Sequence, residues 1–315
     1  MGIIDVVALG KYFPVKRTAF AKHEWLKAVD GVNFSLQDRA VFALVGESGS
    51  GKSTVARLIL RLIPPTSGRV LFQGKDIQTY KGDPLREFRK SVQIIFQDPF
   101  ASLNPRMTVS DTVSEPLKIH KIVPRSELKD RVAGLLKSVG LQADILNRYP
   151  HEFSGGQRQR ICIARALAVS PKVLVADEPL SALDVSIQAQ ILTILQELQR
   201  RSNISFLFIS HDLRVVQYFS DEVAVMYLGK IVEHAKTEDL FSNPLHPYTV
   251  ELLSSAPRIK RGKKREILKG DVPSPIDIPS GCPFHPRCPK RFDPCDKVVP
   301  ELKESRERLV SCHLF

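Results

Sequence analysis

Short apolar runs that stop at polar or glycine-rich residues recur along the chain. Residues 41–45 (Val-Phe-Ala-Leu-Val) stop at Gly46, 92–96 at Gln97, 173–176 at Asp177-Glu178, and 204–209 at Ser210-His211. The continuous runs 41–45 and 173–176 read as buried strands, the second as in a parallel sheet, and 92–96 and 204–209, interrupted by Gln93 and Ser205, read as further strands. Helical periodicity lies between them, over residues 54–62 (stopped by Pro64-Pro65), from the segment 153–157 on to Ala168, and over 187–200. Alternating strands and helices predict a doubly wound α/β core. Two stretches break that rhythm. Residues 5–9 and 29–36 alternate apolar with polar positions, which predicts an N-terminal antiparallel β subdomain. Between them Tyr12-Phe13-Pro14 leads into a basic loop through Lys27, and residues 68–74 read as a further strand between turn glycines. From Asp98 to about Tyr149 the pattern is helical without strands. Residues 111–119 and 126–139, the second with Ser126 as its expected N-cap, predict an inserted helical subdomain.

The turn after the first buried run carries chemistry. Gly46-Glu47-Ser48-Gly49-Ser50-Gly51-Lys52-Ser53-Thr54 fits the phosphate-loop pattern and has the strand before it and the helix after it that the pattern requires. That arrangement points backbone N–H groups and a helix N-terminus at a phosphate. Lys52 is then expected on the β- and γ-phosphates and the Ser53 hydroxyl on Mg²⁺. The chain is therefore expected to bind a nucleoside triphosphate, within a phosphate-loop NTPase core. Asp177 stands where such a core holds its magnesium, and Glu178 beside it is a candidate general base for an attacking water. Alone, the pair is equally compatible with a solvated turn. Gly46, Gln97, Asp177 and His211 all fall at carboxyl ends of predicted strands, where α/β sheets bind ligands.

At 315 residues, 43% hydrophobic and 25% charged, the composition is that of a globular protein. No apolar run approaches the roughly 18 residues of a membrane helix, and residues 1–5 lack the layout of a secretory signal. A cytosolic protein, or one held at a membrane surface by partners, is expected. The net charge of +12 leaves nucleic acid, anionic lipid, an acidic partner and a merely solvated basic surface open. The densest basic run, 258–265, reads as a linker and has no interleaved aromatics for stacking bases.

Phe153-Ser154-Gly155-Gly156-Gln157 resembles the signature motif of the ATP-binding-cassette ATPases, with Phe for the commoner Leu. Gln97 looks like that family's Q-loop, Ser181-Ala182-Leu183-Asp184 its D-loop and His211 its switch histidine, all in family order; the resemblance covers roughly residues 5–250. It implies two subunits closing face to face around two ATP molecules. Ser154, Gly155 and Gly156, with Gln157 completing the motif, would cap the γ-phosphate held on the partner's loop. Gln97 would touch magnesium and water, His211 would bridge the γ-phosphate, Asp184 would signal across the interface, and Phe13 (Tyr12 less so) would carry the adenine. The expected organisation is a nucleotide-binding core with the antiparallel β subdomain over 1–97 and 161–235, a helical subdomain over 98–160, and a C-terminal extension over 236–315.

In that extension, residues 243–249 resemble the element typical of oligopeptide and dipeptide importer ATPases, with Pro244 and Pro247 setting a turn before a helix over 248–254. Cys282, Cys288, Cys295 and Cys312 follow, while Cys162 reads as core. Four thiolates from one Pro-rich segment suit a metal site, either a 4Fe–4S cluster or zinc, with free thiols the alternative and His285 and His313 as substitute ligands. The segment around Cys282 and Cys288 resembles that of peptide-importer ATPases, some of which carry an iron–sulfur cluster. The resemblance implies the ATPase subunit of an importer for di- and oligopeptides, peripheral on the cytoplasmic face of the membrane. Its partners would be a second homologous ATPase subunit, two transmembrane permeases and an external solute-binding protein, with no nucleic acid. Importers of nickel, oligosaccharides or other solutes remain alternatives, as does a soluble cassette ATPase acting on DNA or the ribosome. The last commonly has two cassettes or a long coiled coil, and this chain has neither.

Overall fold

The structure is a computed structural model that describes residues 2–16, 24–255 and 273–315. The basic run 258–265 lies outside the described residues. Its strands are β1 (Ile4–Val15), β2 (Glu24–Leu36), β3 (Val41–Val45), β4 (Ser67–Phe72), β5 (Lys75–Asp76), β6 (Val92–Ile95), β7 (Val173–Asp177), β8 (Ser205–Ile209), β9 (Glu222–Tyr227), β10 (Lys230–Lys236), β11 (Lys303–Ser305) and β12 (Arg308–Val310). The chain divides into two compact units, one of residues 1–37, 41–78 and 210–315, the other of 38–40 and 79–209. The boundaries expected at 97/98 and 160/161 fall inside the second unit, and the one at 235/236 inside the first.

In the first unit, β2, β1, β4 and β5 form an antiparallel sheet in that order. The alternation that predicted it extends further than the sequence suggested. Tyr12, Phe13 and Pro14 pair with Lys27, Leu26 and Trp25 inside the β1–β2 ladder. The basic loop expected through Lys27 therefore gives way to strand, because Phe13 and Leu26 pair across it; its remainder, residues 17–23, is outside the described residues. Register shifts between Val6 and Tyr12 mark bulges in β1. The unit also holds β3 and β9 as a parallel pair, with β10 antiparallel to β9, β12 antiparallel to β10, and β11 closing a hairpin on β12. All five residues of β3 are buried, which is why it carries no polar position. The helix after β3 spans Lys52–Ile59, starting two residues before the expected 54 because Gly51, at φ 107°, turns the chain directly into it. Arg61, at φ 53°, ends it before the prolines are reached.

In the second unit β6, β7 and β8 are parallel, with Ile95 opposite Ala176 and Asp177 opposite Ile209. Helices Gly82–Ser91, Val109–Ile119, Leu128–Ser138, Gly155–Leu167 and Val185–Ser202 and the short Pro99–Ser102 complete it. Gly155–Leu167 is the packing centre, burying Ile161, Cys162, Ile163 and Ala164 and touching four of the other helices. Ser126 does not cap its helix: it lies in a 3₁₀ turn, Arg125–Glu127, which leads straight into Leu128–Ser138. Among the described residues no helix is long and apolar enough to cross a membrane.

Candidate functional site

The phosphate loop follows β3 in the first unit. A Cβ at Gly46 would collide with the Met226 carbonyl of neighbouring β9, and one at Gly51 with the Ala28 carbonyl, so both positions require glycine. Lys52, 4% exposed, folds back over the loop. Its Nζ donates to the carbonyls of Gly46 and Glu47, each at 2.8 Å, and to Ser50 Oγ at 3.2 Å. Ser53 and Thr54 are half-buried in the first turn of the following helix, and Ser48 and Gly49 are exposed. Glu47 faces elsewhere: its backbone N–H donates to Tyr248 Oη at 2.9 Å and its carboxylate takes Arg287. Phe13 is half-buried in β1 with Lys11 Nζ 5.1 Å above its ring. Tyr12 is committed to a different contact, donating its hydroxyl to Asp30 Oδ1 at 2.7 Å. That hydrogen bond, with burial, pushes its pKa up to about 12. His211 is exposed in the turn before the Leu213–Phe219 helix, which Asp212 caps.

In the second unit, Asp177 is the last, buried residue of β7 and Glu178 follows at φ 48°. A glutamate rarely adopts that backbone. It is held there because the Glu178 N–H donates to the Ile209 carbonyl at the end of β8, at 2.9 Å. The parallel register of β6 and β7 brings their carboxyl ends together, and Gln97 Nε2 donates to Glu178 Oε2 at 3.1 Å. Two residues 81 positions apart in sequence thus meet where the strand-end pattern expected chemistry. Ser154 is the N-cap of Gly155–Leu167 and forms a capping box with Gln157: the Gln157 N–H reaches Ser154 Oγ at 3.4 Å and the Ser154 N–H reaches Gln157 Oε1 at 3.1 Å. Phe153 is buried beneath the Arg148 guanidinium, which accounts for the aromatic at that place. Gly156 packs on Ile187 and Gly155 on Leu183, so the signature segment rests on the turn before Val185–Ser202 and on the first turn of that helix. Ser181, Ala182 and Asp184 of that turn are exposed.

The four extension cysteines line one cavity of the first unit, together with His246 and His285. None is in a disulfide, and Cys282 N–H donates to the Cys295 carbonyl at 2.8 Å. Burial pushes the Cys282 thiol up to about 11 and raises Cys288 and Cys312 as well. Among the described residues, however, no group of three or more His, Cys, Asp or Glu side chains is arranged to hold a metal ion. The donor chemistry suits a metal, but the thiols share a cavity without converging on one point. His285 Nδ1 and His313 Nε2 instead bond to backbone carbonyls, of Cys282 and Val298. Cys162 is buried in the signature helix, as the sequence indicated. What sequence reading missed is the grip of Tyr248 and Arg287 on Glu47. A lone arginine 240 residues from its partner leaves no spacing signal.

Compared with known proteins, residues 29–181 match the family model described as ABC transporter, and residues 232–295 match that of the oligopeptide/dipeptide transporter C-terminal region. The chain is 50% identical over 320 residues to the oligopeptide transport ATP-binding protein AppF of Bacillus subtilis, an alignment covering 99% of this chain and 97% of that protein. It is 45% identical to the dipeptide transport ATP-binding protein DppF of Escherichia coli, covering 98% and 93%. Among solved structures, an ATP-binding cassette in a dimeric post-hydrolysis state bound to ADP and Pi superposes with a TM-score of 0.67 at 27% identity, covering 74% of this chain and 98% of that one. The cbiO1 protein of Clostridium perfringens, part of an ABC transporter complex, gives 0.65 at 30% identity, covering 77% and 91%.

Proposed function

The chain belongs to the ABC transporter family, in its oligopeptide/dipeptide branch, and from that premise we propose that it is the ATP-hydrolysing subunit of a membrane importer of di- and oligopeptides. The observation that carries the cargo class is the match of residues 232–295, which lies outside the cassette itself. Lys52 and the backbone N–H groups of the phosphate loop, other than that of Glu47, which Tyr248 takes, hold the triphosphate, and Phe13 stacks on the base. Ser53, Gln97 and Asp177 all offer oxygen donors, the set a hard Mg²⁺ ion takes, and the ion supplies charge neutralisation on the phosphates. Glu178, positioned by the Gln97 amide and by its own backbone bond to Ile209, orients and deprotonates the attacking water. His211 contacts the γ-phosphate. The Ser154 hydroxyl and the N–H groups of Gly155 and Gly156, with Gln157 fixing their helix start, face the nucleotide of a second, homologous subunit, and Asp184 lies at that contact. The dimer works beneath two permease subunits at the cytoplasmic face of a membrane, fed by an external solute-binding protein. The largely exposed stretch around the Pro99–Ser102 helix, residues 97–107, with the helical insert, is the surface offered to the permeases.

The four cysteines carry the donor atoms of a 4Fe–4S cluster, or of zinc, and line one cavity, although among the described residues they are not arranged to hold a metal ion. Iron, sulfide and zinc analysis of anaerobically purified protein tests it, and finding neither metal in stoichiometric amount leaves four free thiols. The functional reading is tested with Glu178→Gln purified from native membranes with ATP. Hydrolysis should fall by about 10²–10⁴-fold while ATP remains bound, and mass spectrometry should find two multi-span permeases and a second cassette subunit. Recovery of nucleic acid or ribosomal proteins without permeases would overturn it, and permeases of a nickel or sugar system would replace the cargo.

A further inference from the structure

Glu47 is second in the phosphate loop, yet all three of its polar groups are engaged within the protein. Its carbonyl accepts from Lys52 Nζ at 2.8 Å, inside the loop. Its N–H goes to Tyr248 Oη at 2.9 Å, in the Pro247–Ser255 helix. Its carboxylate receives Arg287 as a fork, Nη1 to Oε2 at 3.0 Å and Nη2 to Oε1 at 3.1 Å. The Arg287 side chain is only 5% exposed and that of Glu47 21%. A bidentate pair of this kind fixes orientation as well as distance. Its hydrogen bonds with Glu47 raise the Arg287 pKa well above its ordinary value, so the guanidinium is charged at every working pH.

Arg287 is in turn held from beneath. It sits in consecutive tight turns, where Cys282 O accepts from His285 N at 2.9 Å and Phe284 O from Arg287 N at 3.0 Å. Phe284, 1% exposed, packs edge-on against Tyr227 with centroids 5.4 Å apart, and Tyr227 lies 4.7 Å from Tyr248. Arg287 Nη1 also donates to Tyr227 Oη at 3.4 Å. Two separate parts of the C-terminal region, one of them between Cys282 and Cys288, thus converge on a single loop residue. A loop already fixed in its binding geometry loses less freedom when a ligand arrives and so binds it more tightly.

We infer that Arg287, acting through Glu47, is a positioning residue for the phosphate loop, so that the cysteine-bearing segment sets how tightly this chain holds a nucleoside triphosphate. The inference rests on the nucleotide reading above. It is tested by titrating the full-length chain, with Mg²⁺ present, with a fluorescent ATP analogue and recording both the dissociation constant and the fraction of sites that bind. Arg287→Gln should weaken binding by about tenfold, within the range of coupling between contacting residues, with the number of sites unchanged. Arg287→Lys keeps the charge but not the fork and should fall between. Glu47→Gln should weaken binding too, and the Glu47→Gln/Arg287→Gln double variant should be no weaker than the worse single. A purely structural role would lower the thermal midpoint and the number of sites while leaving the dissociation constant of the folded fraction alone; that result overturns the inference, as do singles whose effects multiply in the double variant. If Arg287→Gln does not fold, Arg287→Lys and Glu47→Gln carry the test. Lys52→Ala keeps the two failures apart: if it binds as tightly as wild type, the nucleotide reading itself is wrong.

Discussion

Asp30 shows how a residue outside the binding loop can bear on stability in a pH-dependent way. Burial by itself would raise its pKa, but hydrogen bonds from Tyr12 and Lys230 and the charges of Lys230 and Lys27 more than offset that and hold it below the usual carboxylate value. Lys230 Nζ is 3.0 Å from Asp30 Oδ2. A carboxylate with a depressed folded-state pKa stabilises the fold fully above its unfolded value, near 4, and loses that contribution as pH falls through the lower folded value. Asp30→Asn should therefore cost about 1–3 kcal/mol at pH 7. The gap between wild type and variant should close as denaturation is repeated at lower pH; a gap that stays constant into acid would show that the charge is irrelevant. The same scale shows what sequence could reveal. Lys52, Gly46 and Gly51 were legible because their roles are local, set by one strand, one turn and one helix. Gln97 and Glu178 were legible only as strand ends, since their contact needs the parallel register of β6 and β7. Glu47 was read as part of the nucleotide site by position alone, and nothing along the chain announces that Arg287 and Tyr248 hold it.

Elements were read well where burial dictated composition and poorly where pairing did. β3, β7 and β8 are buried at every position, so their apolar runs could hardly be misplaced. β1 and β2 ran longer than expected because Phe13, Leu26 and Trp25 gain by pairing across strands, a gain that appears only once both strands exist. Ser126 failed as a cap because an extra 3₁₀ turn starts the helix, while Ser154, not singled out as a cap in the sequence, caps its helix because Gln157 returns the bond. The signature helix carries a prediction at this scale. A Cβ on Gly156 would lie 2.5 Å from Ile187 Cγ2, on a stiff β-branched side chain. Alanine is the better helix former by up to about 1 kcal/mol, but overpacking costs about 1–3 kcal/mol, so the clash decides the sign. Gly156→Ala should lower the thermal midpoint by a few degrees, and adding Ile187→Ala should recover part of the loss. A stabilised single variant would mean that the signature helix and the start of the Val185–Ser202 helix are free to separate.

For the whole molecule, the consequence of greatest reach concerns the C-terminal region, which the sequence sets off as an extension beyond the core motifs. It is not separate in the fold. β12 pairs with β10 through Val310 and Leu309, and the Ser311 N–H donates to the Val232 carbonyl at 2.8 Å. Arg308 Nη1 donates to the carbonyls of Asp239 and Asn243. The fully buried Glu233 carboxylate accepts from the N–H groups of Leu245 and His246, each at 2.9 Å, tying β10 to the start of the Pro247–Ser255 helix. Phe284, 1% exposed, packs against Tyr227, and Val310 is 2% exposed. A chain ending at Ser255 would lose these two side chains. It would also leave β10, with its apolar Ile231 and Val232, as an uncovered edge, the feature that templates aggregation. Loss of a buried phenylalanine alone costs about 3–5 kcal/mol, a large part of the margin of a typical domain. The truncated chain should therefore accumulate in the insoluble fraction, and any soluble remainder should show faster amide exchange at residues 231–233 than the full chain does. A truncated protein that is soluble, monomeric and as heat-resistant as the parent would show that the cassette core folds without its C-terminal third strand pair, and the extension would then be an attachment to the sheet rather than part of it.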